Sequence, residues 1–191
     1  AWAALDAGGD AVLTLLAAPP GYGKTIAVRS WCQTQDAALV WLTIDAGDND
    51  PTRLWRHLAT AVDRVRPGLG QPALRRLGVA GSPIEDAVDE LMNGVATHAG
   101  PLVIVLDDLH GVTDEECLAS IDYALPHVPA NARLIVMTRV DPVLSLGRLR
   151  GRGELAELLA DDLAFTHSEA RELLVLRGGI ELGDEEVDLL V

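Results

Sequence analysis

Apolar residues gather in four short runs, at 11–17, 39–44, 102–106 and 134–137, each bounded by turn-forming residues. Continuous runs of this length read as strands buried on both faces, and the segments between them carry apolar residues at helical spacing. Such alternation predicts repeated βα units around a parallel sheet. A weaker signal at 163–165 is the expected fifth strand. Helix starts are marked by capping side chains: Asp50 before Pro51, Ser82 before Pro83 with Glu85, Thr113 with Glu116, and Thr166 with Glu169. The last three have the spacing of a capping box, and the two prolines suit a first helical position. The glycine- and proline-rich stretch 67–81, with Arg75 and Arg76 exposed by pattern, reads as a loop or a short helical insertion. A new helical pattern begins after Gly178-Gly179, so the expected division is one domain over 1–178 and the start of a following helical segment over 179–191. That pattern stops partway and the first residue is Ala1, from which a piece of a longer protein is expected.

The first run leads directly into Ala18-Pro19-Pro20-Gly21-Tyr22-Gly23-Lys24-Thr25 and a helical stretch beginning at Ile26. This is the G-x-x-x-x-G-K-S/T phosphate loop between strand and helix, with Ala18 in place of the first glycine. Pro19 and Pro20 have no N–H, so backbone donors to phosphate must come from Gly21 through Ile26, where the loop enters the helix N-terminus. The candidate nucleotide-binding residues are Pro20, Gly21, Tyr22, Gly23, Lys24, Thr25 and Ile26. Of 15 basic residues Lys24 is the only lysine. A compact ammonium fits between phosphates where a planar guanidinium does not.

The third run ends in Asp107-Asp108, as the carboxylate strand of a P-loop ATPase does. Thr25 and Asp107 are the candidate magnesium ligands, and Asp108 the candidate to orient or deprotonate the attacking water. Acids after a strand also simply solvate a turn. The fourth strand delivers Arg139 to the end of the sheet where ligands collect in α/β folds, a position suited to a γ-phosphate contact; a surface pairing with Asp141 is the alternative. Lys24, Asp108 and Arg139 form the candidate catalytic set. His110 either contacts nucleotide or water or is a bystander, and Arg148, Arg150 and Arg152 read as a solvated turn.

Charge and composition then narrow the partners. Against 15 basic residues stand 29 acidic ones, a net charge of −14 that repels polyanions, so no direct nucleic-acid contact by this segment is expected. Cys32 and Cys117 lack metal or redox spacing and read as reduced core thiols of a cytoplasmic protein. No apolar stretch approaches the roughly 20 residues that span a bilayer, and no membrane partner is expected.

Taken together, the segments A-P-P-G-Y-G-K-T (18–25), W-L-T-I-D-A-G-D-N-D-P-T-R-L-W (41–55), V-I-V-L-D-D-L-H (103–110), L-I-V-M-T-R (134–139) and the stretch 149–170 resemble the nucleotide-binding domain of large MalT-like regulators of the LuxR type, in the STAND class of signalling ATPases. The resemblance implies an α/β P-loop NTPase of the ASCE type, with a central five-stranded parallel sheet flanked by helices and the Arg139 strand between the two Walker strands. It also implies ATP or ADP with Mg2+ as cofactors, contacts with other domains of the same polypeptide, and ATP-dependent self-association. The expected function is an ATP/ADP-binding, slowly hydrolysing switch domain of a signal-responsive transcriptional regulator. Two alternatives stay open: a small-molecule kinase, which needs an acceptor pocket and a lid with arginines such as those at 148–152, and an interaction scaffold whose nucleotide site is dead.

Overall fold

The structure is a computed structural model that describes residues 5, 6 and 11–163. In chain order its main elements are β1 (Leu13–Ala17), α1 (Lys24–Cys32), β2 (Ala38–Thr43), α2 (Pro51–Val65), α3 (Gln71–Leu77), α4 (Ile84–Thr97), β3 (Leu102–Asp107), α5 (Glu115–Ala124), β4 (Ala132–Thr138), α6 (Gly147–Arg152), β5 (Leu155–Leu159) and α7 (Ala160–Leu163). The strands form one parallel sheet in the order β2-β3-β4-β1-β5. β4 therefore lies between β1 and β3, as the ASCE arrangement requires.

Alternation along the strands sorts the core into two layers. On one face Leu13, Leu15, Leu102, Ile104, Leu106, Leu134 and Val136 pack against apolar residues of α2, α4 and α5. On the other, Leu16, Val103, Val105, Ile135 and Met137 pack against Val28 and Trp31 of α1 and Leu163 of α7. Each such fully buried side chain contributes about 1.5–3 kcal/mol, which makes α1 a fixed part of the sheet rather than a mobile flap. Its far end is also held by polar contacts. Arg133 on β4 lies 4.7 Å from the Trp31 ring centroid and donates to the Leu5 carbonyl at 2.6 Å, while the Trp31 indole donates to Asp6 at 2.7 Å.

Several local expectations need correction. The fifth strand is Leu155–Leu159, not 163–165; Leu163 ends α7, and 164–165 lie outside the described residues. Ser82 does not cap α4: Pro83 occupies the cap position without a side-chain bond, so the serine stands one residue too early. Asp114, not Thr113, caps α5 by accepting from the Cys117 N–H at 2.9 Å. Arg148, Arg150 and Arg152 lie on a short helix rather than in a turn, with Arg150 paired to Glu157 at 2.6 Å. The stretch 67–81 does hold a short helix, α3, with Arg75 and Arg76 exposed. The expected boundary at 178/179 and the Thr166 cap lie outside the described residues. Cys32 and Cys117 are free and buried, and burial pushes the Cys117 thiol up to about 12.

The segment 41–55 acts as a polar stitch between β2 and the far side of the sheet. Asp45 and Asp48 close a reciprocal cap around a 3-10 turn, with Gly47 N–H to Asp45 at 2.6 Å and Asp45 N–H to Asp48 at 3.0 Å. Asp48 is fully buried, and its Oδ1 lies 2.7 Å from His57 Nδ1. Asn49 accepts from the backbone N–H groups of Thr113 and Asp114 at 2.8 and 2.7 Å. Asp50 caps α2, and Trp55 donates across the core to Ser120 at 2.8 Å. Because Asn49 satisfies two amides that side chains of α5 do not reach, Asn49→Ala is expected to destabilise the fold by about 1–3 kcal/mol, read as a lower urea midpoint at unchanged m-value.

Candidate functional site

The connection from β1 to α1 is built on two glycines with left-handed backbone, Gly21 (φ 93°) and Gly23 (φ 71°). A Cβ at either would meet nothing within 4 Å, so the requirement for glycine is conformational and not a matter of crowding. Ala18, standing where the phosphate-loop pattern has its first glycine, is buried at the end of β1 and has no left-handed φ, which is why a side chain is tolerated there. Gly23 caps α1, and the first i→i−4 bond runs from Ala27 N–H to Gly23 C=O at 2.8 Å. The amides of Lys24, Thr25 and Ile26 precede that bond, so they remain as donors at the positive end of the helix.

Lys24 folds back over this loop, donating to the carbonyls of Ala18 and Pro19, the latter at 3.0 Å. Burial lowers the pKa of its ammonium and nearby Arg139 lowers it further, against the opposing pull of Asp108 and Asp107. A cation made uncomfortable in this way gains from an anionic ligand. Asp107 ends β3 on the α1 side of the sheet, because Val103 and Val105 at the same parity face α1. Burial raises the pKa of its carboxyl and adjacent Asp108 raises it further. Its backbone carbonyl is tied by the Ile44 N–H at 2.9 Å, which fixes the strand end.

Asp108 follows in the left-handed region (φ 61°, ψ 39°), the only described residue other than glycine to do so. Such strain clusters at functional sites. The carboxylate lies 3.6 Å from Arg139 Nε and 3.6 Å from His110 Nδ1. Asp108, rather than Asp141, is therefore the carboxylate beside Arg139 among the described residues. Pro20, Gly21, Gly23, Lys24, Thr25, Ile26, Asp107, Asp108 and Arg139 line one open cleft of about 360 Å³. Tyr22 is outside that lining, a half-exposed ring at the tip of the loop. Two larger clefts, of about 540 and 550 Å³, lie against α5 with α6 and at the N-terminal ends of the strands; neither combines a glycine loop with a lysine.

The donor set fits a nucleotide and magnesium. First-turn amides and a lysine suit phosphate oxygens, while one hydroxyl and one buried carboxylate suit a hard cation that keeps several waters and phosphate ligands. Among the described residues no group of three or more His, Cys, Asp or Glu side chains could hold a metal alone, so a cation here would depend on its phosphate partner. Reading the sequence missed the roles of Asp48, Asn49 and His57 beside this end of the sheet; the unusual density of polar residues at 45–50 was the available signal.

Comparison with known proteins agrees with the fold. No protein-family profile matches the chain. It is 32% identical over 172 residues to the HTH-type transcriptional regulator MalT of Yersinia enterocolitica, covering 89% of this chain and 19% of that protein. To MalT of Cronobacter sakazakii it is 31% identical over 166 residues, covering 86% and 18%. The chain thus spans about a fifth of the length of these curated relatives. Among solved structures it is similar to a STAND protein with a tetratricopeptide repeat sensor from Pyrococcus horikoshii, with TM-score 0.69, 15% identity, and 98% of this chain and 26% of that one covered. It is also similar to Cdc6p from Pyrobaculum aerophilum, with TM-score 0.58, 16% identity, and 91% and 47% covered. A Walker-type ATPase of Pyrococcus abyssi gives TM-score 0.55 and 14% identity, with 100% and 61% covered. Over the segment that carries its phosphate loop, the chain is a homologue of the MalT transcriptional regulators, built on the P-loop ATPase fold.

Proposed function

We propose that this chain is the ATP- and ADP-binding switch domain of a signal-responsive transcriptional regulator, and that it hydrolyses ATP slowly. The observation that carries the reading is the convergence of Lys24, Thr25, Asp107, Asp108 and Arg139 on one cleft at the mouth of the glycine loop. In this reading the amides of the first α1 turn and the Lys24 ammonium hold the phosphates, with Lys24 exchanging its two loop carbonyls for phosphate oxygens. Thr25 and Asp107 would hold magnesium, which would supply positive charge against that developing on the phosphates. Asp108 orients the attacking water, and Arg139 contacts the γ-phosphate. Both side chains are close to half exposed, at 39% and 46%. Solvent therefore screens the charges meant to stabilise the transition state, which favours slow turnover and a lasting ATP state. Contacts with other domains of the same polypeptide, ATP-dependent self-association and a cytoplasmic location complete the proposal by analogy with the regulators it resembles. No described helix is long and apolar enough to cross a membrane.

Lys24→Ala is expected to abolish measurable ATP and ADP binding with little change in melting temperature, since its bonds within the protein are to two loop carbonyls. Thr25→Ala and Asp107→Ala should lose the magnesium-dependent part of the affinity first. Because burial raises the Asp107 pKa, the protonated form persists to higher pH than for an ordinary aspartate near 4, so magnesium-dependent affinity should fall on acidification while still above that value. Calorimetric titration with and without magnesium checks all three variants, and magnesium dependence surviving both substitutions would place the metal elsewhere.

Arg139→Ala should weaken ATP about ten- to a hundredfold relative to ADP, the size of one charge-assisted contact that the diphosphate cannot make. Competition binding of the two nucleotides reads this ratio directly. An equal loss for both would return Arg139 to a surface pairing with Asp108.

A further inference from the structure

We propose that His110 is a positioning residue for Asp108: it holds one carboxylate oxygen of Asp108 once Arg139 leaves that oxygen for a terminal phosphate. The inference rests on the ATP-switch reading above and assigns His110 a task within it.

Asp108 Oδ1 has two nitrogen neighbours at equal range, Arg139 Nε at 3.6 Å and His110 Nδ1 at 3.6 Å. Both distances exceed that of an N–H···O hydrogen bond, so the oxygen stands between two donors and is bonded to neither. His110 Nδ1 is buried and has no hydrogen-bond partner among the described residues. A buried polar atom left without a partner is costly, so with its proton on Nδ1 the imidazole gains by any shift that brings Oδ1 closer. The backbone that carries the ring has little freedom to move. It lies in the 3-10 turn over Leu109–Gly111, which is closed by Gly111 N–H to Asp108 C=O at 3.0 Å and Val112 N–H to Leu109 C=O at 2.9 Å, with Leu109 buried beneath. The left-handed backbone of Asp108 fixes its Cα–Cβ direction in the same way. Rotation of the Asp108 and His110 side chains is then the free coordinate.

Arg139 differs in kind. Its side chain is long and half exposed, and it lines the phosphate cleft, so a terminal phosphate with its greater charge is a stronger partner than one half-exposed carboxylate. When Arg139 turns to that phosphate, Oδ1 loses its cation. A short approach of Oδ1 to His110 Nδ1–H replaces the contact and leaves Oδ2 facing the cleft with its lone pairs available to water. Without His110, Asp108 either retains Arg139 or rotates between orientations. His110 should therefore govern the rate of hydrolysis and leave nucleotide affinity nearly untouched.

The test follows the His110 imidazole by nitrogen-15 NMR in the histidine-labelled chain, free, with Mg-ADP and with Mg and a non-hydrolysable ATP analogue. The expected result is a hydrogen-bonded Nδ1–H signal with the triphosphate analogue, absent with ADP and lost in Asp108→Ala. In parallel, single-turnover hydrolysis should slow about ten- to a hundredfold in His110→Ala with ATP affinity held within about twofold. His110→Asn, whose side-chain amide can donate from near the Nδ1 position, should recover most of the rate. A bound triphosphate that leaves the Nδ1 signal unmoved, or equal slowing by the alanine and asparagine variants, would overturn the assignment. Failure of the parent chain to bind either nucleotide would instead overturn the reading of the cleft itself.

Discussion

Parallel strand pairing is the constraint on which the rest of this structure depends. Ala17 pairs with Thr138, Leu106 with Val136 and Thr43 with Asp107, so β1, β4, β3 and β2 end nearly level. The strand ends and the connections that leave them carry Lys24, Arg139, Asp107 and Asp108 into one place although they span more than a hundred residues of sequence. Alternation does the remaining sorting, since residues of one parity pack on α1 and put Asp107 on the helix side of the sheet. A protein with net charge −14 can in this way present a local concentration of donors to an anion without a basic surface.

That arrangement needs its strand ends held still. On one side of the sheet the task falls to α1, locked by Val28 and Trp31 in the core and by Arg133 at its far end. On the other it falls to the segment 45–55, where Asp45, Asp48, Asn49 and Asp50 spend their hydrogen bonds on nearby backbone and Trp55 reaches Ser120. Ile44 N–H then bonds the Asp107 carbonyl, which joins this polar stitch to the carboxylate strand. The segment 45–55 is thus a brace beside the cleft, and none of its residues lines it.

Four strands, the phosphate loop and the acid pair were legible in the sequence because each follows from a strong local rule: continuous apolar runs, glycine where φ is left-handed, and acids directly after a buried strand. The fifth strand was not, since β5 is an edge strand with Glu157 at its centre, paired to Arg150 instead of buried. A strand with one solvated side does not need an apolar run, and the more apolar 163–165 drew the assignment away. Capping at Thr113 misled for another reason. Spacing alone does not show that Asn49, 64 residues earlier, already engages the Thr113 hydroxyl and amide and leaves Asp114 as the cap. The pairing of Asp108 with Arg139 is likewise tertiary, since only the strand order brings Arg139 beside it, whereas His110 stands two residues away on the turn that follows.

The central claim is that anionic phosphates bind on the amides where the glycine loop enters α1. Backbone amide NMR during titration of the chain with Mg-ADP tests it residue by residue. The account predicts the largest shifts at Gly21, Gly23, Lys24, Thr25 and Ile26, with smaller ones at Asp107 and Asp108, and little change at Arg148 or Arg152 in the larger cleft against α5. Shifts concentrated in that other cleft, or no saturable shift in the glycine loop, would contradict it.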